Sequence, residues 1–119
     1  MAWRIRAKGR AVRRTPGEMN GTERAYADTV LEPLKRAGEI AHYWFEQFTF
    51  KLAADLRYTP DFVVMLSDGE LECHEIKGEF IREDALIKLK LAAQTMPFLF
   101  KLCVKRSKKN GGGWKIDPM

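Results

Sequence analysis

The chain has 119 residues, of which 45% are hydrophobic and 31% charged, a size and composition that suit one globular domain with a modest core. No apolar run approaches the roughly 18 to 20 residues of a membrane span, and the basic start lacks the apolar stretch of a secretory signal, so we expect a cytoplasmic protein without a membrane partner. The two cysteines give no zinc signature and are expected to be buried free thiols, with a disulfide between them as the alternative.

The net charge of +5 is concentrated at the two ends of the chain. Residues 1–14 hold six basic residues and no acid, and residues 105–109 hold a second basic cluster. Basic ends around an acidic centre suit a polyanion bound through its phosphates, although a solvated tail and a solvated loop would give the same pattern. The residues predicted to contact nucleic acid are Arg4, Arg6, Arg10, Arg13, Arg14, Lys88, Lys108 and Lys109.

Residues 1–18 have no clear period and are predicted to form a flexible basic arm, followed by a single domain over residues 19–119. The domain opens with a helix, because Asn20 can be its N-cap and Glu23 lies three residues on, in the position of a capping box. Pro33 removes a backbone donor and is expected to kink or end this helix.

The middle and the end of the chain alternate between strands and one further helix. Residues 42–52 are rich in aromatic residues and predict one or two strands, and residues 57–66 predict another. Pro60 within the latter run is placed where an edge or a bulge is expected. The remaining predicted elements are a strand over residues 70–77, a helix over residues 83–95, a strand over residues 98–104 and a short strand over residues 114–116. A strand, a helix and a strand in succession imply a right-handed crossover and a parallel pair, so the fold class is α/β with a mixed sheet.

The turn over residues 67–69 decides whether Asp61 and Glu75 can meet. If these three residues form the loop and Gly69 takes the left-handed conformation, Asp61 faces Glu75 across the hairpin. Opposed side chains have Cβ atoms about 4.5 to 5.5 Å apart, so two carboxylates would then share one face. A two-residue loop of Asp68 and Gly69 would shift the register by one and place them on opposite faces.

Glu75 and Lys77 share one side of their strand with apolar Leu71 and Cys73. Two carboxylates side by side repel each other unless a cation lies between them, and hard divalent ions bind both carboxylate and phosphate oxygens. Lys77 points into the same space, where it can orient an attacking water or offset developing negative charge. A solvated acidic strand, in which Lys77 simply pairs with Glu75, is the alternative.

A proline-aspartate pair precedes the hairpin, and a Glu-x-Lys triplet ends its second strand before a helix. These residues, Pro60-Asp61 and Glu75-Ile76-Lys77, resemble the signature of the PD-(D/E)XK nuclease superfamily. The order helix, strand, strand, strand, helix, strand is similar to the restriction-endonuclease-like core of that superfamily.

This likeness extends over residues 20–104. The residues Thr22-Glu23 and the Tyr-Thr-Pro-Asp-Phe box at residues 58–62 resemble sequence motifs of a family of small phage-encoded proteins of otherwise unassigned function. The layout is also similar to that of archaeal Holliday-junction resolvases and phage endonuclease I.

The resemblance implies a DNA endonuclease of phage or prophage type, dependent on Mg²⁺ or Mn²⁺ and active in the host cytoplasm. It implies catalytic roles for Asp61, Glu75, Lys77 and Glu23, and a metal held by Asp61, Glu75, Glu23 and the backbone carbonyl of Ile76. Glu23 shares a helix face with apolar residues and would point inward, but a role limited to the capping box is equally simple.

Three alternatives stay open. A junction resolvase in the strict sense would require a homodimer that places two active sites on one branched substrate. A nucleic-acid-binding protein could keep the fold without cutting, and a related enzyme could act on RNA. The sequence does not distinguish branched, duplex and single-stranded substrates. Glu46 is a further candidate acid near the metal, whereas His74 alternates away from Glu75 and is predicted to be structural.

Overall fold

The computed structural model describes residues 17–119. The basic residues of the predicted arm, all within residues 1–14, therefore lie outside the described residues. No helix in the described part of the chain is long and apolar enough to cross a membrane.

The first helical region consists of α1 (Gly21–Tyr26), a π-helical turn (Ala27–Leu31) and α2 (Glu32–Arg36). The predicted capping box opens it, because Asn20 and Glu23 each bind the other's backbone N–H through their side chains. Helical conformation continues beyond Pro33 to Arg36. The N–H of Glu32 donates to the carbonyl of Ala27, five residues back, so a widened turn directly precedes the proline that cannot donate.

Five strands form the main sheet in the order β1-β4-β5-β6-β7. They are β1 (Ile40–Phe45), β4 (Phe62–Leu66), β5 (Leu71–Lys77), β6 (Leu99–Lys105) and β7 (Trp114–Pro118). β5 and β6 are parallel and connected through α3 (Glu83–Thr95), whereas the other neighbouring pairs are antiparallel. The predictions of a mixed sheet and of a parallel pair around the second predicted helix are confirmed.

The predicted continuous strand over residues 57–66 is wrong, because it is two strands in two sheets. β2 (Phe50–Ala53) and β3 (Leu56–Tyr58) form a separate two-stranded sheet, and β4 of the main sheet begins only at Phe62. Pro60 lies in the break between β3 and β4, where its missing N–H interrupts no ladder hydrogen bond.

The main sheet has an apolar cluster on each face. The cluster under α1 contains Tyr26 and Leu31 with Phe62 and Ile76 of the sheet. The cluster under α3 contains Leu89 and Ala92 with Val63, Cys73 and Phe100 of the sheet, and Tyr58 of β3. Because neighbouring residues of β5 point to opposite faces, Glu72 and His74 lie on the α1 face and Glu75 lies on the α3 face. Both cysteines are buried free thiols, as predicted.

Candidate functional site

The hairpin between β4 and β5 has the predicted three-residue loop. Gly69 has φ of +93°, its N–H donates to the carbonyl of Leu66 at 2.9 Å, and the N–H of Leu66 donates to the carbonyl of Glu70 at 2.8 Å. Val63 pairs with Cys73 in the register that follows. The last pair of this register away from the turn joins Phe62 and His74, and Asp61 and Glu75 are the next residues of the two chains beyond it.

Asp61 lies in the break after Pro60 and is buried. One of its carboxylate oxygens accepts the backbone N–H of Ile76 at 2.8 Å. Its own backbone carbonyl accepts the N–H of Glu46 at 2.9 Å, just beyond the end of β1. Asp61 is thus held from both sides, by the strand that bears Glu75 and by the chain that leaves β1.

Three carboxylates converge beside this break. Glu23, Glu46 and Asp61 each offer an oxygen, and these oxygens lie within 4.8 Å of one another. Glu23 and Asp61 are buried and Glu46 is half-buried. One oxygen of Glu23 accepts the N–H of Asn20 at 2.9 Å, so Glu23 serves the capping box and also reaches the carboxylate cluster. The two roles that the sequence left as alternatives therefore coexist.

Glu46 joins this cluster through an unusual backbone conformation. Its φ of 52° is the only positive value of a non-glycine residue among residues 17–119. A residue with a β-carbon adopts this left-handed region at some cost, and such strain is common at functional sites. Glu46 directly follows Phe45, which pairs with Phe62, and the backbone hydrogen bond from Glu46 to Asp61 sets the two acids side by side. The acid was a candidate by sequence, but its register could not be read from the aromatic run around it.

Glu75 is buried beside the cluster and is not one of its three converging members. Its two oxygens have other partners, since one accepts the hydrogen bond of the Tyr58 hydroxyl and the other lies 3.4 Å from the ammonium of Lys77.

The backbone carbonyl of Ile76 was also predicted to hold the metal. The N–H of Ile76 points toward Asp61, and the carbonyl of a strand residue points to the same side as its N–H. That carbonyl is therefore directed toward the same space as the carboxylate of Asp61.

Acidic groups crowd this site, and burial and neighbouring acids perturb the carboxyl of Asp61. Burial raises the pKa of Asp61 well above its usual range, and the negative charges of Glu75 and Glu23 raise it further, against the N–H of Ile76 and the charge of Lys77. Burial likewise raises the pKa of Glu75, opposed chiefly by Lys77 and the Tyr58 hydroxyl. Crowded carboxylates of this kind are stabilised either by protons or by a cation.

Among the described residues that were predicted to contact nucleic acid, Lys88 is buried whereas Lys108 and Lys109 are exposed. Lys88 of α3 is only 7% exposed, so it does not lie on a solvated helix face. Lys108 and Lys109 are exposed on a short 3₁₀ turn (Lys108–Asn110) after β6. Because β5 and β6 are parallel, with Lys77 paired to Val104, this turn leaves the sheet at the same edge as the carboxylates.

No protein family, curated protein or solved structure matches this chain. The chemistry of the site therefore rests on its own geometry. Oxygen donors from α1, from the end of β1 and from the start of β4 meet at one edge of the sheet, beside a buried glutamate and a lysine on β5.

Proposed function

We propose that this chain is a divalent-metal-dependent endonuclease that hydrolyses phosphodiester bonds in DNA, with a site of the PD-(D/E)XK kind. The observation that carries the proposal is the convergence of Glu23, Glu46 and Asp61 within 4.8 Å at one edge of the sheet. Glu75 and Lys77 beside them supply the remaining charged groups of the signature.

The donor set fits a hard divalent cation. All three converging ligands are carboxylate oxygens, which Mg²⁺ and Mn²⁺ prefer, whereas a zinc or copper site would favour histidine or cysteine. The raised pKa of Asp61 also favours a cation here. A bound cation would offset both the cost of burying this carboxylate and its repulsion from the neighbouring acids. A bound ion of this kind supplies Lewis-acid activation and a site for a phosphate oxygen.

The residues of the chain have separate tasks in this proposal. Glu23, Glu46 and Asp61 hold the ion, with the carbonyl of Ile76 directed to the same space. Lys77 is partly exposed, so its ammonium can donate a hydrogen bond to a phosphate oxygen as negative charge develops there. Glu75, held by the Tyr58 hydroxyl, keeps the ammonium of Lys77 at the edge of the site.

The arrangement of elements supports the finer assignment of a restriction-endonuclease-like core. A helix contributes one acid, an antiparallel hairpin contributes the Asp and the Glu-x-Lys triplet, and a helix then leads to a parallel strand. The basic turn at Lys108 and Lys109 leaves the sheet at the same edge, which suits a phosphate-bearing substrate such as DNA. A phage or prophage origin is part of the same proposal and rests only on the resemblance of Thr22-Glu23 and residues 58–62 to the phage-encoded family.

The direct test is incubation of the purified protein with plasmid, single strands and four-way junctions, with Mg²⁺, Mn²⁺ or EDTA. Cleavage that needs the metal is expected for at least one substrate. DNA binding without cleavage under any metal would overturn the proposal in favour of a non-cleaving binding protein. Cleavage of RNA alone would overturn the choice of DNA.

Metal binding is tested separately by calorimetry on wild type and Asp61→Asn. The wild type is expected to bind Mn²⁺ and to gain thermal stability by mass action, and the variant should lose most of both effects. Asp117→Asn is the matched control, because it removes a carboxylate from β7, where the side chain is 51% exposed and paired with Lys115. Equal metal binding by wild type and Asp61→Asn would count decisively against the site.

A further inference from the structure

The loop between β5 and α3 presents one aromatic ring entirely to solvent. Phe80 is 101% exposed, whereas no other exposed large hydrophobic residue in the described chain exceeds the 59% of Ile87. Burial of a phenylalanine side chain is favourable, and Phe80 forgoes this stabilisation. Phe80 follows Lys77 by three residues, so the ring lies next to the proposed catalytic lysine along the chain.

The residue before Phe80 ties this loop to the basic turn. A carboxylate oxygen of Glu79 accepts the backbone N–H of Ser107 at 3.2 Å and the side-chain amide of Asn110 at 2.8 Å. Ser107 in turn caps the 3₁₀ turn through its own side chain. These bonds hold the loop that carries Phe80 against the turn that carries Lys108 and Lys109.

Both loops leave the same edge of the sheet. Lys77 pairs with Val104 in parallel register, so residues 78–82 and residues 105–109 follow their strands on the same side. The carboxylate cluster lies at this edge as well, since Asp61 immediately precedes β4 and its carboxylate accepts the N–H of Ile76, next to Lys77. An aromatic ring, four basic residues within residues 105–109 and the acids of the proposed metal site therefore lie at the same edge of the sheet.

We propose that Phe80 and the basic loop over residues 105–109 bind an unpaired DNA strand, with one base stacked on the Phe80 ring and the adjacent phosphates against Lys108 and Lys109. This inference rests on the proposed nuclease function and names its substrate class. Bases in a duplex have both faces covered by their neighbours, whereas an unpaired base can stack on an aromatic side chain. Positive charge beside the ring gives the surface the complement of a strand's phosphates.

The test is a binding measurement in EDTA, in which fluorescence anisotropy compares a labelled single strand with the blunt duplex of the same sequence. Wild type is expected to prefer the single strand. Phe80→Ala should weaken single-strand binding by about fivefold to a hundredfold, as loss of one stacked base does. Duplex binding should be unchanged. Phe80→Trp should retain the preference, and Phe80→Leu should behave like Phe80→Ala, because it keeps an apolar side chain without an aromatic face.

Leu99→Ala is the matched control for loss of an exposed apolar side chain. Leu99 begins β6, at the end of the strand remote from the basic loop, and its removal should leave strand preference unaltered. If Phe80→Leu keeps wild-type affinity, or Phe80→Ala weakens both DNAs equally, stacking is overturned. Sedimentation with anionic lipid vesicles examines the other partner that suits an apolar side chain among lysines, and Phe80-dependent vesicle binding without strand preference would also overturn the proposal.

The phosphate contacts are tested through salt dependence. Replacing Lys108 and Lys109 with alanine should reduce the slope of log affinity against log salt by about 1.4 for single strands, from two contacts at about 0.7 each. An unchanged slope would show that the basic loop does not contact the phosphates of the strand and would overturn this part of the proposal. Because no metal is present, these results are independent of catalysis. A Phe80-dependent preference for single strands without cleavage under any metal would overturn only the nuclease proposal. Cleavage without that preference would overturn only the proposal that Phe80 binds an unpaired strand.

Discussion

Two glutamate–lysine pairs lie on opposite faces of the sheet and are nearly identical in themselves. Lys77 and Glu75 are 3.4 Å apart, with side chains 30% and 11% exposed. Lys101 and Glu72 are 3.2 Å apart, with side chains 29% and 9% exposed. Distance and burial therefore do not distinguish the two pairs, and any difference in role must come from what surrounds them.

The surroundings of Glu72 are balanced. One ring nitrogen of His74 is hydrogen-bonded to Glu72 at 3.0 Å, and the other is hydrogen-bonded to the hydroxyl of Tyr26 at 2.8 Å. The thiol of Cys103 also donates to that hydroxyl. The hydrogen bond from His74, with that from Lys101, lowers the pKa of Glu72 against the effect of burial. This network connects α1 to the sheet with its polar groups satisfied, so it has the character of a structural element.

The surroundings of Glu75 are richer in acids than those of Glu72. Further acids lie close by, and burial raises the pKa of Glu75 and of its neighbour Asp61. The same kind of ion pair thus lies beside a group of converging acids in one case and within a hydrogen-bonded histidine network in the other. The difference indicates that burial of charged residues is informative only when their neighbours are counted, because acids perturbed by burial and by other acids are candidates for function.

The largest expected difference is in catalysis. Lys77→Ala should lower the rate of DNA cleavage by about a hundredfold to a thousandfold, the usual cost of losing one transition-state donor, while metal binding persists. Lys101→Ala removes an equally exposed lysine from an equally buried glutamate and should leave the rate within about twofold. The measurement is single-turnover cleavage at saturating metal.

Melting temperatures of the two lysine variants provide the control. Both should fall, and Lys77→Ala at least as far as Lys101→Ala, because each leaves a buried glutamate without its lysine but Glu72 keeps its hydrogen bond from His74. If the two variants lose cleavage equally, Lys77 acts only through the fold and the comparison between the pairs is broken.

A smaller effect, on stability, is expected from the network around Glu72. His74→Ala removes two buried hydrogen bonds and leaves a cavity, so the free energy of unfolding should fall by about 2 to 4 kcal/mol in urea titrations. His42→Ala changes the other histidine, which is exposed on β1, and should cost no more than about 0.5 kcal/mol. Equal losses would mean that the network contributes nothing specific to the stability of the sheet.

The smallest effect is the pH dependence of the metal-free protein. The pKa of Asp61 is raised in the folded state, so the folded protein holds this proton more tightly than the unfolded chain does. The contribution of Asp61 to stability should therefore decline as pH rises from about 4 through the raised pKa. Asp61→Asn keeps an oxygen for the N–H of Ile76 and should be more stable than wild type near neutral pH by about 0.5 to 2 kcal/mol.

Thermal melts in EDTA at several pH values measure this difference, and comparison with Asp61→Asn removes the contributions of all other groups. The gap between the two proteins should widen with pH and close or reverse when Mg²⁺ is added. A variant that is less stable than wild type at every pH without metal would show that the charge of Asp61 is already balanced by the protein itself.

Local patterns in the sequence predicted the elements that position the site. The capping box at Asn20, the helix over residues 83–95 and the three-residue turn ending at Gly69 are all confirmed. Each depends on residues within a few positions of one another, so the physical rule could be applied without knowledge of the rest of the fold. The pairing of the β4–β5 hairpin followed directly from the turn.

Features that depend on distant parts of the chain could not be predicted in the same way. The aromatic run of residues 42–52 did not show where β1 ends, so the position of Glu46 beside Asp61 was inaccessible. The break at Pro60 was recognised as irregular, but the transfer of the chain from a second sheet to the main one depends on tertiary packing. The burial of Lys88 could not be predicted for the same reason, because it depends on which distant residues pack against α3.

The turn over residues 67–69 has a consequence for which changes in chain length the protein can tolerate. Hairpin loops at a surface usually accept insertions and deletions, since little packs on them. This loop is about 17 Å from Asp61, counted as five strand residues. Even so, removing one residue from it would move every side chain of one strand to the opposite face and separate Asp61 from Glu75. Length variation should therefore be tolerated in the β2–β3 turn, which sets no part of the acid cluster, and excluded from the turn at Gly69.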